Sequence, residues 1–373
     1  MKETRRIFLG ATFAAVTALA AFAGPAAAAE RPDYYPADYD KLVEASKSEQ
    51  GLLVYSNMAE YNWAPVIKGF NELYPWIKVE TLDLGGEIFE RYYAENSSGT
   101  RTADMVATGS IDNWLEFTDK GEAVDYKSPE ADKVPDWAKP RPGLYTVSTD
   151  PMIIVYNKQL LPEAKAPKSI HEIAELVKSG DTKLDNKLTT YNAAASSFGL
   201  SLYWAWVHKH DDAWDVFDTL GPLTRPERSA GPQLEKITSG EYTLGWFLSG
   251  IVVFPKMSDP ARKALIGWHF PQDGTPIFMR GMAVAKGAKS PNSAKLMLDF
   301  ILSHAGQVAF GKGGLTPYRP DVKADEVPFF TYSSITEAVG GESNVVLVEY
   351  DREMLEKRDE FLARWKKAFS QAQ

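Results

Sequence analysis

The chain has 373 residues, 44% of them hydrophobic, with 41 Lys and Arg against 50 Asp and Glu and no cysteine. A net charge of −9 excludes nucleic acid as the main partner, because phosphate backbones are held by clustered positive charge. No disulfide can staple the chain, so its stability must come from buried cores. Its length exceeds one ordinary core and predicts two lobes.

The N-terminus places Lys2, Arg5 and Arg6 ahead of an apolar stretch at 7–23, followed by Gly24, Pro25 and a run of alanines. Gly10 and several alanines interrupt the stretch, and Ala27-Ala28-Ala29 offers a small-residue cleavage pattern. Residues 1–29 therefore read as a signal peptide and not as a membrane anchor. Thr4-Arg5-Arg6-Ile7-Phe8-Leu9-Gly10 matches the twin-arginine export signature; an ordinary secretory signal that carries paired arginines is the alternative, and both place the mature protein in the periplasm. Cleavage after Ala29 removes Lys2, Arg5 and Arg6 but only one acid, Glu3, which moves the net charge from −9 to −11. No later apolar run approaches the roughly 18 residues that a bilayer span needs.

Along the mature chain, residues 52–55 form an apolar strand ending in Ser56-Asn57. Val66, Ile67, Phe70, Leu73 and Tyr74 then repeat at helical spacing until Pro75. A strand at 77–82, a turn at Gly85-Gly86, a helix at 88–94 and a strand at 105–107 complete a βαβαβ alternation. Such alternation implies a parallel sheet covered by helices. Past a proline-rich excursion at 135–142, a strand at 152–156 precedes Ser169-Ile170-His171-Glu172, a capping box whose helix ends at Gly180. A strand at 188–191 runs into Asn192-Ala193-Ala194-Ala195-Ser196-Ser197 and a Trp- and Tyr-rich helix. A helix at 233–239 and a strand at 242–248 lead to Ser249-Gly250. The last third adds a strand at 277–284, a helix capped by Ser290 with Pro291 at its first position, and one amphipathic helix over 349–369.

Enzyme motifs fail on inspection. Gly306-Gln307-Val308-Ala309-Phe310-Gly311-Lys312-Gly313 has the spacing of a phosphate-cradling loop, but Gly313 replaces the hydroxyl residue and the segment follows a helix where a strand is required. It reads instead as a glycine-rich helix end. There is no Gly-x-Ser-x-Gly elbow. His208-Lys209-His210 is the one close histidine pair, and exposed helix-end histidines account for it better than a metal site. His171 belongs to its capping box.

What remains is a set of small polar loops at strand C-terminal ends: Ser56-Asn57, Thr108-Gly109-Ser110, Ala195-Ser196-Ser197 and Ser249-Gly250. In open α/β sheets such loops lead into helix N-termini and build the ligand crevice, where backbone N–H groups favour an anion. Asp150 precedes the 152–156 strand and joins the candidate set. Arg280, beside Gly281, offers a bidentate donor to a carboxylate or phosphate, or else an interlobe salt bridge. Trp246, Phe247, Tyr145 and Tyr318 could stack on an organic ligand or belong to the core.

The order of these features resembles type II periplasmic binding proteins, and within them the branch of the ferric-ion-binding proteins. The likeness rests on Val54-Tyr55-Ser56, Thr102-Ala103-Asp104-Met105, Met152-Ile153-Ile154-Val155-Tyr156-Asn157, and Gly281-Met282-Ala283-Val284-Ala285-Lys286-Gly287-Ala288 followed by Ala294-Lys295 and Phe300-Ile301. It implies an α/β fold of two lobes, each a mixed, mainly parallel sheet flanked by helices, joined by crossing hinge strands. The lobes are then 30–147 plus 276–318 and 148–275 plus 319–373. It also implies closure on a small solute and delivery to an inner-membrane ABC permease with its ATPase. Ferric members hold iron with adjacent tyrosines; that position reads Ser249-Gly250 here, no histidine stands near Met58 to Glu60, and only Glu87 matches a family ligand. The Ala195-Ser196-Ser197 loop matches the family's anion-binding position.

The resulting expectation is a monomeric, non-enzymatic importer component without cofactor or metal. It binds a small organic anion through Ser56, Asn57, Glu87, Thr108, Gly109, Ser110, Asp150, Ala195, Ser196, Ser197, Ser249, Arg280 and Tyr318. Ferric-ion binding and a cofactor-containing periplasmic enzyme are the alternatives.

Overall fold

Ten strands organise the computed structural model, which describes residues 32–180 and 184–369. The expected signal peptide at 1–29 lies outside the described residues. The strands are β1 (Leu52–Ser56), β2 (Val79–Asp83), β3 (Met105–Thr108), β4 (Tyr145–Asn157), β5 (Leu188–Tyr191), β6 (Thr224–Glu227), β7 (Leu244–Ser249), β8 (Ile266–His269), β9 (Thr275–Val284) and β10 (Val345–Val348). Their order is β2-β1-β3-β9-β4-β7-β5-β6, with β10 added on β9 and β8 on β4. The β1–β2, β1–β3, β5–β6, β5–β7 and β9–β10 pairs are parallel; β9 and β4 run antiparallel to their other neighbours.

β4 is the joint of this architecture. Tyr145 to Pro151 pair with β9, whereas Met152 to Asn157 pair with β7 and β8. One strand thus belongs to two sheets, and the two lobes share it within the compact unit Tyr34–Gln373. The sequence shows only its apolar second half, since Thr146, Ser148, Thr149 and Asp150 with Pro151 read as a loop. All thirteen residues are buried, because the segment is paired along its whole length.

Helices cover both sheets. Trp63, Phe70, Phe300 and Phe310 pack under the β1–β3–β9 end, and Trp206, Phe217, Trp246 and Trp365 under the β5–β7 end. Burying such side chains stabilises by about 1.5–3 kcal/mol each. Half of the expected capping box is present: Ser169 Oγ accepts from the Glu172 N–H at 3.0 Å, while the Glu172 carboxylate takes the Lys168 N–H at 2.6 Å in place of that of Ser169, and Gly180 closes the helix at φ +67. Gly306 to Lys312 lie inside the His304–Lys312 helix, so no phosphate-cradling loop exists there. The single C-terminal helix is in fact two, Arg352–Glu356 and Arg358–Ala368. Among the described residues no helix is long and apolar enough to cross a membrane.

Candidate functional site

Asp150 on β4 and Arg280 on β9 stand at the point where the two sheets join. Antiparallel pairing sets Asp150 opposite Phe278 and Ser148 opposite Arg280, with the Thr149–Met279 pair between them, so the acid and the base stand two register positions apart on neighbouring strands. One terminal nitrogen of Arg280 donates to Asp150 Oδ2 at 3.0 Å and the other to Asn57 Oδ1 at 2.9 Å. Ser249 Oγ donates to Asp150 at 2.6 Å, and the Ile251 N–H points at it from 3.4 Å. Burial pushes the Asp150 carboxyl upward, while Arg280, Ser249 and the Ile251 N–H pull against it. Arg280 is 6% exposed, and its Nε is buried with no hydrogen-bond partner among the described residues.

Phe198 covers this pair. Its ring lies 5.7 Å from the guanidinium carbon and stacks on Phe278 with centroids 3.9 Å apart and planes at 15°. Tyr191 flanks Phe198 at 5.1 Å. Gly109 makes the approach possible, since a Cβ there would lie 3.2 Å from both Phe198 and Phe278. Gly281 plays a similar part beside Arg280: a Cβ would stand 2.5 Å from Trp114 Nε1 and 2.6 Å from the Tyr350 hydroxyl.

Two helix N-termini meet above the pair. Ser110 precedes the Ile111–Asp119 helix, and Ser196 caps the Ser197–Lys209 helix by accepting from the Gly199 N–H at 3.3 Å. Ser197 Oγ donates to Asp112 Oδ1, which ties the helix after β3 to the helix after β5 and so bridges the two sheets. β7 bulges ahead of Ser249: its register on β4 shifts between Ile153 and Val155, and Phe247 adopts φ +59.

The structure thus gathers Asn57, Gly109, Asp150, Ser197, Ser249 and Arg280 at the junction, with Ser110 and Ser196 at the adjoining helix starts. The other candidates are exposed or already committed to bonds within the protein. The Ser56 hydroxyl is buried in its own turn, accepting from the Met58 N–H at 3.0 Å and Trp63 Nε1 at 3.1 Å. The Thr108 carbonyl accepts from Trp114 Nε1 at 2.9 Å. Ala195 and Glu87 are exposed; the Ala195 N–H is held by Asn192 Oδ1 at 3.1 Å. Tyr318 is 2% exposed, donates to the Thr146 carbonyl and lies against Trp137, which makes it a core residue. Trp246, Phe247 and Tyr145 are likewise buried in the core. Arg280 forms its salt bridge along the crossing strands. Sequence reasoning missed Phe198, Phe278 and Asp112, although Phe198 follows Ser197 directly and Asp112 stands two residues past Ser110.

The sequence matches the family model of the bacterial extracellular solute-binding protein over residues 55–308. Among solved structures, the substrate-binding protein of an ABC transporter from Agrobacterium tumefaciens is similar at 23% identity and TM-score 0.75, covering 88% of this chain and 96% of that one. AfuA of Actinobacillus pleuropneumoniae, a periplasmic binding protein with fructose-6-phosphate bound, aligns at 20% identity and TM-score 0.67 over 86% of this chain and 98% of its own. Iron-bound HitA of Pseudomonas aeruginosa aligns at 16% and 0.65 over 85% and 99%. No curated protein matches the sequence. The structural likenesses establish the two-lobed binding-protein fold.

Proposed function

The chain belongs to the bacterial extracellular solute-binding proteins, and from that premise we propose that it is the periplasmic substrate-binding component of an ABC importer, closing its lobes on a small organic anion that carries a phosphate or carboxylate. The lobes proposed are 30–147 plus 276–318 and 148–275 plus 319–373. Residues 1–29 serve as the export signal, and an inner-membrane permease with its ATPase is the partner.

One observation carries the anion assignment: Arg280 is buried at the junction with an unspent Nε donor while Asp150 and Asn57 fix its plane. An arginine held in this way presents directed N–H groups to a planar or tetrahedral anion. The helix N-termini at Ser110 and Ser197 add backbone donors from both sides. Asp112 sits among them as an acceptor, which suits a ligand bearing hydroxyls beside its anionic group. The likeness to AfuA, whose structure holds a sugar phosphate, supports the same class.

Arg280 and Asp150 together are formally neutral, so recognition rests on oriented donors more than on net charge. Affinity for the anion should therefore weaken only slightly with salt, unlike a site on an exposed basic patch. A thermal-shift panel of sugar phosphates, inorganic phosphate, dicarboxylates and ferric ion tests the proposal. An organic anion should raise the melting temperature and calorimetric titration should give one site per chain. A shift with ferric ion and none with any anion would sink the assignment.

A further inference from the structure

Away from the junction, four side chains from three separate segments converge on one spot of the β5–β7 lobe. His171 stands in the first turn of the Ile170–Ser179 helix. His210 ends the Ser197–Lys209 helix, Asp212 precedes the Ala213–Leu220 helix, and Asp273 lies in the link between β8 and β9. Ligand atoms of His171, His210 and Asp212 all lie within 4.8 Å of one another.

The contacts are ordered in the manner of a metal centre. Asp273 Oδ2 bonds His171 Nδ1 at 2.6 Å and also accepts from the His171 N–H at 3.0 Å. That pins the ring and turns Nε2 outward toward Asp212, whose carboxylate oxygens stand at 3.1 and 3.2 Å. A carboxylate on the far nitrogen of a ligating histidine is the usual orienting device in metal sites. Trp206 packs against the His210 ring at 4.1 Å with the planes tilted by 32° and holds it in place. Asp212 makes no cap hydrogen bond to its own helix, so its carboxylate is free to serve elsewhere.

A second observation points to a ligand. His210 Nε2 and Asp273 Oδ1 are both buried without a hydrogen-bond partner among the described residues, in a fold where buried polar atoms are ordinarily satisfied. One histidine held between two acids, with a second histidine beside it whose buried nitrogen has no partner, is poorly explained as a salt bridge alone.

We propose that His171, His210 and Asp212 bind one divalent transition ion of the zinc class, with Asp273 as the positioning residue behind His171. Two imidazoles and a carboxylate suit Zn²⁺ at about 2.0–2.2 Å per bond. Ligand atoms now within 4.8 Å would need to close by about an ångström to reach tetrahedral spacing. Three protein ligands leave a fourth position for water, reached from the exposed Asp212 side. The ion would clamp the start of one helix, the bend between two others and the β8–β9 link. The proposal is independent of the solute bound at the junction.

The test uses the full chain stripped with chelator and titrated with Zn²⁺ by calorimetry, with Co²⁺ absorption as a coordination readout. One Zn²⁺ per chain should bind, the melting temperature should rise, and Co²⁺ should give the visible bands of a tetrahedral N/O site. His210→Gln removes no existing hydrogen bond of the ring, and Asp212→Asn disturbs no cap, so both variants should fold and each should weaken Zn²⁺ by at least about tenfold. Asp273→Asn should weaken it by about 10–100-fold while keeping the Co²⁺ spectrum of residual binding. Arg280→Lys should leave Zn²⁺ affinity unchanged. Absence of saturable binding, or binding that survives both His210→Gln and Asp212→Asn, overturns the proposal.

Discussion

Arg319 and Arg280 are the two buried arginines among the described residues, 5% and 6% exposed, and each faces a carboxylate that is itself buried. Arg319 spends its donors on the protein: Nε goes to Asp321 at 2.8 Å, and a terminal nitrogen serves Glu130 and the Leu302 carbonyl. The Tyr34 and Tyr35 hydroxyls complete Glu130 at 3.0 and 2.7 Å. Arg280 has the same burial and the same kind of partner, yet keeps Nε unspent. Burial and ion pairing therefore do not by themselves mark a site. The remaining donor, placed where two sheets join and two helix N-termini converge, is what sets Arg280 apart and underlies the proposed site.

The comparison can be broken by mutation. Arg319→Ala leaves Glu130 buried without its counter-charge and should cost about 3–5 kcal/mol of stability, read by chemical denaturation, with solute affinity of the folded fraction retained. A loss below about 1 kcal/mol would remove Arg319 from its structural role.

Asp299, in the same region, sharpens the contrast through pH. Burial foremost, with Glu130 nearby, pushes its carboxyl up to about 6 despite hydrogen bonds from Ser128, Tyr39 and Tyr126. Its contribution to stability is fully present below the unfolded value of about 3.9 and is lost as pH rises through about 6. Asp299→Asn should therefore gain on the wild type by up to about 2–3 kcal/mol between those limits. Denaturation curves at a series of pH values check the sign, and a gap that widens the other way would refute it.

Arg280→Lys keeps a charge for Asp150 but forfeits the planar fork, so solute affinity should fall by at least about tenfold, or about 1.4 kcal/mol, with stability changed by less than the Arg319 substitution. Equal affinity in the variant would mean that Arg280 is merely a second Arg319. The smallest effect belongs to Ser197→Ala, which removes the bridge to Asp112. It should alter apparent affinity by about 0.5–1.5 kcal/mol through closure, a difference that small-angle scattering of the liganded and unliganded forms can separate from direct contact.

The alternation of strands and helices was legible in the chain because the apolar run at 52–55 and the β-branched and aromatic run at 188–191 are buried on both faces, and because Ser169 and Ser290 announce helix starts. Asn57, Ser249 and Arg280 were legible as residues of the junction, where they meet around Asp150, because they end strands or flank a glycine at a crossing. Phe198 was not, since an aromatic residue in a helix start looks like core, and only the close approach at Gly109 shows what it covers. β6, Thr224–Glu227, carries Arg225, Pro226 and Glu227 and has no strand-like pattern; pairing with β5 makes it a strand. Tyr318 misled in the opposite sense: a polar-tipped ring near a predicted crossing is spent on the Thr146 carbonyl. His171 and His210 were read as unrelated, because nothing in sequence spacing tells that three segments fold onto one another there.

The placement of β9 also dictates when the fold can form. It fills the position between β3 and β4, yet it leaves the ribosome long after both. Until residues 275–284 arrive, β1, β2 and β3 present β3 as a bare sheet edge, and such edges recruit other chains. Pairing across so many intervening residues is also slow. Refolding should therefore be limited by the docking of β9, and chains truncated ahead of it should aggregate. The nascent protein accordingly has most need of a chaperone during synthesis of its middle third.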